Sequence, residues 1–357
     1  MQKYEALMRK CMEYAVKFRF EVAPNPMVGA IVYDEKKDEI ISLGAHKKYG
    51  QAHAEVDAIN QAIGCDFSDK TLIVNLEPCC HRGKTPPCCD LIIEKGFKKV
   101  VIGARDLNPL VSSCGIKKLQ EAGIEVVADV LADECVQFNK VFFKNILKKS
   151  PFVMAKTAFT LDSKIATSTG ESKWITGEAS RGVVQKLRSE HFAILSGSGT
   201  VLADNPRLNV RLEGAKSPDR IIIDRFGKIP FDYNVFLNDG CRVFLVTKNF
   251  ERDFPKNVIP VEFENFEQLF LKLYRDFNIF SIFVETGQKT LSAILEENLI
   301  DELYCFVAPK IFGAGVDFVS NLGIEKIENA LELEFFDVQK VGADILIKSK
   351  IKKGDKN

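Results

Sequence analysis

The chain has 357 residues, 46% of them hydrophobic and 27% charged, and its 49 basic and 49 acidic side chains cancel to a formal net charge of zero. This is ordinary composition for a soluble globular protein, and the length divided by a typical domain size gives about 2.4, a prior for two domains. The charge balance argues against a ligand with a long phosphate backbone, so no nucleic-acid partner is expected, and no apolar stretch approaches the length of a membrane-spanning helix.

At the start of the chain Tyr4, Leu7, Met8, Cys11, Ala15 and Phe18 fall on one helical face. Lys3, Glu5, Arg9, Lys10 and Glu13 leave no uninterrupted apolar core for a signal peptide. Eight of the ten cysteines precede residue 136, a distribution that suits a reducing cytoplasm better than a disulfide scaffold. Ala23-Pro24-Asn25-Pro26 reads in isolation as a turn. Beyond it, Val28–Tyr33, Thr71–Leu76, Val100–Ala104 and Ile124–Ala128 predict strands, with helices near 53–63, 88–95 and 115–122. Such alternation predicts an α/β layer sandwich.

Within that frame His53-Ala54-Glu55 precedes Val56, Ala58, Ile59 and Ala62 at near-helical spacing, so the imidazole and carboxylate open a helix. Downstream, Glu77-Pro78-Cys79-Cys80 and Pro86-Pro87-Cys88-Cys89 bracket a loop containing His81 and Gly83. One imidazole, two separated thiolates and a carboxylate beside the imidazole are what a zinc deaminase requires. Three protein ligands hold Zn²⁺, the ion activates a water in its open position, and a glutamate off the metal shuttles protons. The general pattern is His-x-Glu followed by Pro-Cys-x-x-Cys; here Cys79 and Cys88 stand nine positions apart, and the Gly/Pro-rich insertion provides the loop this needs. The reading assigns His53, Cys79 and Cys88 to zinc and Glu55 to catalysis. Cys80 and Cys89 read as packing residues. The alternatives are buried reduced cysteines without metal and a closed structural zinc site with His81 or a further Cys as fourth ligand.

Asn145–Ser150, with Lys148 and Lys149, reads as a linker, which sets domains of 1–147 and 148–357. Strand signals return at Phe152–Ala155, Arg220–Asp224, Arg242–Thr247, Phe280–Glu285 and Leu303–Ala308, and 288–298 reads as a helix. No Gly-x-Gly-x-x-Gly follows a strand, so a Rossmann cofactor site is not expected. Ser196-Gly197-Ser198-Gly199-Thr200 and Thr286-Gly287-Gln288 each follow a strand and suit close approach to an anion. Arg207 and Arg211 offer guanidinium forks for phosphate. Taken singly, these are more often turns and a solvated face. Lys348–Asn357 reads as a frayed, charged tail.

The runs Ala23–Gly29, His46–Val56, Glu77–Cys89 and Asn108-Pro109, then Lys156–Ala166, Ser172–Thr176 and Gly199–Pro206, closely resemble the bacterial bifunctional riboflavin biosynthesis protein over nearly the whole chain. That family joins a diaminohydroxyphosphoribosylaminopyrimidine deaminase to a phosphoribosylaminouracil reductase. The resemblance implies an N-terminal cytidine-deaminase-like three-layer αβα domain and a C-terminal dihydrofolate-reductase-like α/β domain that uses NADPH. It implies a small phosphorylated pyrimidine as substrate and a homo-oligomer formed through the reductase domain. Carried over by position, Asn25 would hold the pyrimidine in the first site. Ala158, Trp174, Thr200, Asp204 and Gly287 would contact NADPH, and Ser172, Arg188, Leu208, Arg211 and Glu285 the substrate of the second. The chain departs from the family at Arg19–Val22, where glycines are usual, and in the Asp106–Gly115 run. It also departs at Ser163 and Thr286, which stand where glycine is usual and restrict φ there.

Overall fold

A computed structural model of the protein describes residues 1–80, 86–107 and 114–352; His81, Gly83, Asn108 and Pro109, named above, lie outside the described residues. The chain forms two compact units, Met1–Lys149 and Ser150–Asn357. Among the described residues no helix is long and apolar enough to cross a membrane.

The first unit runs α1 (Gln2–Ala15), α2 (Arg19–Val22), β1 (Gly29–Asp34), β2 (Glu39–Ala45), α3 (Ala54–Gln61), β3 (Thr71–Leu76), α4 (Cys88–Glu94), β4 (Lys99–Ala104), α5 (Cys114–Glu121), β5 (Glu125–Val127), α6 (Ala132–Phe138) and α7 (Lys140–Lys148). Its sheet has the order β2-β1-β3-β4-β5. β1 pairs antiparallel with β2 and β3, whereas β3, β4 and β5 are parallel. Side chains alternate across a strand, and here both faces are covered. Val32, Leu72, Val74, Val100 and Ile102 pack under α3, α4 and α5. Ile31, Tyr33, Ile73 and Val101 pack against Leu7, Met8 and Cys11 of α1, with Cys135 and Phe143 from α6 and α7. This is the three-layer arrangement, and it explains why the strands read as continuous apolar runs. The expected linker at Asn145–Ser150 is corrected: α7 continues through Lys148 with Asn145 buried, and Lys149 closes it in the left-handed conformation. Lysines at a helix C-terminus suit its dipole, so they signal a helix end rather than a spacer.

The second unit runs β6 (Phe152–Thr160), β7 (Lys164–Thr167), α8 (Glu178–Ser189), β8 (Ala193–Gly197), α9 (Ser198–Asp204), β9 (Asp219–Ile223), β10 (Val243–Val246), β11 (Val258–Val261), α10 (Phe266–Phe277), β12 (Ser281–Glu285), α11 (Gln288–Glu296), β13 (Glu302–Ala308), β14 (Gly315–Asp317), β15 (Leu333–Val341) and β16 (Asp344–Ile351). Nine strands form one sheet in the order β11-β10-β9-β8-β12-β6-β13-β16-β15. Those from β11 to β13 are mutually parallel, and β16 and β15 add an antiparallel edge. Phe266, Leu269, Phe270 and Leu273 of α10 and Leu291, Ile294 and Leu295 of α11 bury one face of the parallel strands. The frayed-tail expectation is corrected: residues 348–351 belong to β16, with Ser349 and Ile351 buried, and only 353–357 lie outside the described residues.

The order of strands has a functional consequence. β8 is followed by α9 and then β9 on one side, whereas β12 is followed by α11 and then β13 on the other, beyond β6. Adjacent parallel strands whose connections leave in opposite directions open a crevice at their carboxyl ends, where ligands of open α/β sheets bind.

Candidate functional site

In the first unit the site is built where β3 ends and where α3 and α4 begin. His53 is the N-cap of α3 in extended conformation, Cys79 lies three positions past the end of β3, and Cys88 is the first residue of α4. His53 precedes the two cysteines by 26 and 35 residues, yet its Nδ1 lies 3.6 Å from Cys79 Sγ and 3.3 Å from Cys88 Sγ. One donor atom from each of the three lies within 4.8 Å of the others. The Cys88 amide donates to Cys79 Sγ at 3.3 Å. Hydrogen bonding from the Cys88 thiol draws the Cys79 thiol down against the opposing effect of burial, and His53 adds to the pull. The Cys88 thiol is pushed up by the same partner and by burial. One imidazole and two thiol sulfurs facing a common point fit a tetrahedral zinc site with one position left for water.

Glu55 sits in the first turn of α3 and is buried at 3% exposure. Burial pushes its carboxyl up, with Cys79 adding to the effect and His53 opposing it. A carboxyl so placed holds a proton more readily than an exposed one. Asn25 approaches through His46, which is buried. The Ala52 carbonyl can only accept, so His46 Nδ1 donates to it at 2.9 Å, and Nε2 accepts from Asn25 Nδ2 at 3.0 Å. The His46 and His53 rings meet edge to face with centroids 5.4 Å apart. His46 was assigned no role from sequence; its membership of the His46–Val56 run and the scarcity of histidine, four in the chain, were the available signals.

The turn carrying Cys79 is held by Glu77. Its carboxylate accepts from Gly115 N at 2.9 Å and Ile116 N at 3.2 Å at the start of α5, and from Asp106 N at 3.2 Å. Cys80 packs against the core under α4, as expected, and it is in addition bonded to Cys114. Cys89 is buried and its thiol faces the Pro78 carbonyl at 3.3 Å.

In the second unit the predicted residues separate into groups. Arg188 Nε donates to Glu285 Oε2 at 2.9 Å and its Nη1 to the Asn209 carbonyl at 3.0 Å. Lys156 Nζ lies 3.5 Å from Glu285 Oε1, because β6 and β12 are in register at these residues. Burial pushes the Glu285 carboxyl up, but Lys156 and Arg188 outweigh it and hold it at about 2. Lys156, two positions from Ala158 on the same face of β6, is a residue that sequence reasoning missed. Thr200 and Gly287 come together: α9 and α11 begin side by side, and a Cβ on Gly287 would stand 3.4 Å from Thr200 Oγ1. The approach is closer at Gly197, where a Cβ would reach Thr290 Oγ1 at 2.6 Å and force a neighbour to shift. Asp204 pairs with Lys173 at 3.0 Å. Trp174 is 64% exposed, so it does not anchor the core, and Arg181 stacks over its ring at 4.5 Å. Leu208 is buried at 3% with φ of 51°. Arg211 is exposed, its amide donating to Gln185 Oε1 at 2.9 Å, and Ser172 is half-buried. Ser163 does occupy the left-handed region, at φ 68°, whereas Thr286 is not among the positive-φ residues. A glycine is therefore not required by the backbone at 286, and Thr286 Oγ1 instead accepts from Gly197 N at 3.1 Å.

The profile of the cytidine and deoxycytidylate deaminase zinc-binding region matches residues 1–104, and that of the RibD C-terminal domain matches residues 151–347. The riboflavin biosynthesis protein RibD of Aquifex aeolicus is 40% identical over 347 residues, covering 95% of this chain and 96% of the relative. RibD of Escherichia coli K12 is 35% identical over 362 residues, covering 96% and 98%. Among solved structures, a diaminohydroxyphosphoribosylaminopyrimidine deaminase/5-amino-6-(5-phosphoribosylamino)uracil reductase from Thermotoga maritima superposes with a TM-score of 0.85 at 39% identity, covering 98% of this chain and 99% of that one. RibD of Acinetobacter baumannii gives 0.82 at 34% identity, with 99% of each chain covered.

Proposed function

The chain belongs to the RibD family of riboflavin-biosynthesis enzymes, and from that premise we propose how its own residues divide the family's two reactions. It is a bifunctional enzyme, a zinc-dependent deaminase joined to an NADPH-dependent reductase.

In the deaminase, His53, Cys79 and Cys88 hold the metal. Zinc, when bound there, supplies Lewis acidity and an activated water near neutral pH. Glu55 takes a proton from the attacking water and delivers it to the departing amine of the pyrimidine, a role its burial and raised pKa support. His46 fixes the Asn25 amide by occupying its N–H, which leaves Oδ1 of Asn25 to accept from a donor on the ring edge.

In the reductase, NADPH supplies the hydride that converts the ribosyl group to ribityl. The paired starts of α9 and α11, at Thr200 and Gly287, receive cofactor phosphate at the sheet's switch point, with Ala158, Trp174 and Asp204 along its path. Ser172, Arg188, Leu208, Arg211 and Glu285 receive the phosphorylated pyrimidine, a small molecule rather than a nucleic acid, and Lys156 joins this set through its pairing with Glu285. Holding the nicotinamide against the sugar carbon is the main task of these residues.

The observation that carries the reading is the convergence of His53, Cys79 and Cys88 beside a buried Glu55, in a chain of which 95% aligns with a RibD relative. Incubation with diaminohydroxyphosphoribosylaminopyrimidine, with and without NADPH, followed by mass spectrometry, tests it. Deaminated product without NADPH and ribityl product only with it are expected. Deamination alone would refute the reductase assignment, and no reaction in a zinc-loaded sample would refute both.

The enzyme works in the cytoplasm as a homo-oligomer built through the C-terminal unit. Supporting this, β15 is the edge strand of the nine-stranded sheet and exposes Phe335 at 60%, Phe336 at 40% and Val338 at 58%, an apolar edge that a second copy would cover. Phe335→Glu should convert the oligomer to monomer by light scattering; a monomeric parent protein would overturn the proposal.

A further inference from the structure

Cys80 and Cys114 are bonded across 34 residues, with Cα atoms 6.1 Å apart, within the ordinary range for a disulfide. Their position is the informative part. Cys80 directly follows Cys79, and Cys114 is the first residue of α5. The two backbones already meet here without the sulfurs. Glu77 accepts from the amides of Gly115 and Ile116, and a Cβ on Gly115 would lie 2.2 Å from the Pro78 carbonyl oxygen. The thiols are therefore held near each other by the fold. They are also reachable, since Cys114 is exposed and Cys80 half-buried, whereas Cys11, Cys89 and Cys135 are buried. Accessible, pre-positioned thiols are the ones that exchange with disulfides in solution.

We propose that Cys80 and Cys114 are a reversible dithiol–disulfide pair that clamps the turn bearing Cys79, so that oxidation slows loss of zinc from the deaminase site. In the oxidised protein Cys79 is anchored on both sides, through Glu77 before it and the sulfur bridge after it. Reduction removes the second anchor and leaves the turn held by hydrogen bonds only, those of Glu77 and those from the Cys88 and Cys89 amides to Cys79. The oxidant is a small-molecule disulfide such as oxidised glutathione. The two thiols give up two protons and two electrons as the S–S bond forms, and the glutathione disulfide bond breaks to yield two glutathione thiols. The consequence for zinc rests on the ligand set proposed above.

The test uses the full-length, zinc-loaded protein equilibrated across a series of reduced and oxidised glutathione ratios. Free thiols are then blocked with N-ethylmaleimide, linked peptides are identified by mass spectrometry, and zinc release to a chelator is timed on the same samples. A linked pair containing Cys80 and Cys114 is expected to appear as the buffer becomes oxidising. Zinc release should slow roughly tenfold in step with it, the low end of what outer partners of metal ligands contribute. Cys114→Ser and Cys80→Ser should each hold zinc and deaminate at the reduced protein's rate, and release zinc at that protein's rate in every buffer. No linked pair at any ratio, a pair involving Cys79 or Cys88 instead, or equal zinc release in linked and unlinked protein would overturn the proposal. A linked pair in protein that binds no zinc would overturn the ligand set, and with it the consequence for zinc.

Discussion

Glu285→Gln tests the charge cluster of the reductase directly. Glu285 meets Arg188 at 2.9 Å and Lys156 at 3.5 Å, with side-chain exposures of 20% for the carboxylate and 11% and 15% for the cations. Burial raises its pKa, yet the two cations bring it from 4.5 down to about 2. A group depressed on folding contributes stability above its unfolded pKa and loses it as pH falls toward the folded one. The window is therefore pH 4.5 down to about 2. At about 1.36 kcal/mol per pKa unit, the contribution is about 2 to 3 kcal/mol once residual exposure is allowed for. The glutamine variant should lose this much at neutral pH, lowering the unfolding midpoint of the C-terminal unit by roughly 4 to 12 °C. The assay is available within the chain. Trp174 is the single tryptophan and lies in the C-terminal unit, so its fluorescence during urea titration reports on that unit alone. As pH falls through the window, wild type and variant should converge. A variant that keeps a constant stability deficit at acid pH, or that shows none at neutral pH, would refute the cluster as the source of the depressed pKa.

Glu55→Gln should retain stoichiometric zinc while losing deamination by at least about a hundredfold, the lower range for general acid–base groups; metal analysis showing zinc lost would make Glu55 structural. Gly44→Ala would place a Cβ 2.2 Å from Ala58 N and 2.6 Å from the Ala54 carbonyl oxygen, forcing α3 off β2. A stability loss of about 2 to 3 kcal/mol is expected in denaturant titration, with weaker zinc retention because His53 caps the displaced helix. Ser163→Gly should gain about 0.5 to 1 kcal/mol by relieving an L-residue at φ 68°; a loss would mean that the hydroxyl makes a stabilising bond.

The convergence of His53, Cys79 and Cys88 beside Glu55 was legible because these residue types stand in short runs. His53 and Glu55 open one helix, and the two thiols stand just past the end of a strand and at the start of a helix. What the sequence withheld there was the partner of each group. His46 lies 21 residues from Asn25, and Cys80 lies 34 from Cys114, so neither pairing has a local pattern. The same limit is stronger in the reductase, where Arg188 and Glu285 are 97 residues apart. Parallel strands buried on both faces announced themselves as apolar runs. β15 and β16 did not, because charged residues interrupt both, Glu334, Asp337 and Lys340 in β15 and Lys348 and Lys350 in β16, which made the end of β16 read as a tail.

The two sites nonetheless share one physical plan. Each places its polar groups where strands end and helices begin, the one location in an α/β layer where backbone N–H groups are unpaired and side chains escape the apolar interior. At the proposed metal centre the Cys88 amide at the start of α4 donates to Cys79, and the amides at the start of α5 hold Glu77, which fixes the turn carrying Cys79. In the reductase the starts of α9 and α11 lie side by side, with Thr286 bonded back to Gly197 across the gap. The glycines that matter are accordingly those that let these helix starts approach, Gly115 against Pro78 and Gly197 against Thr290, and both are tight enough that a Cβ would collide. Ser163 lies outside such contacts, and Thr286 joins one through its hydroxyl without a positive φ, so the chain can depart from the family's glycines at both positions while keeping these junctions.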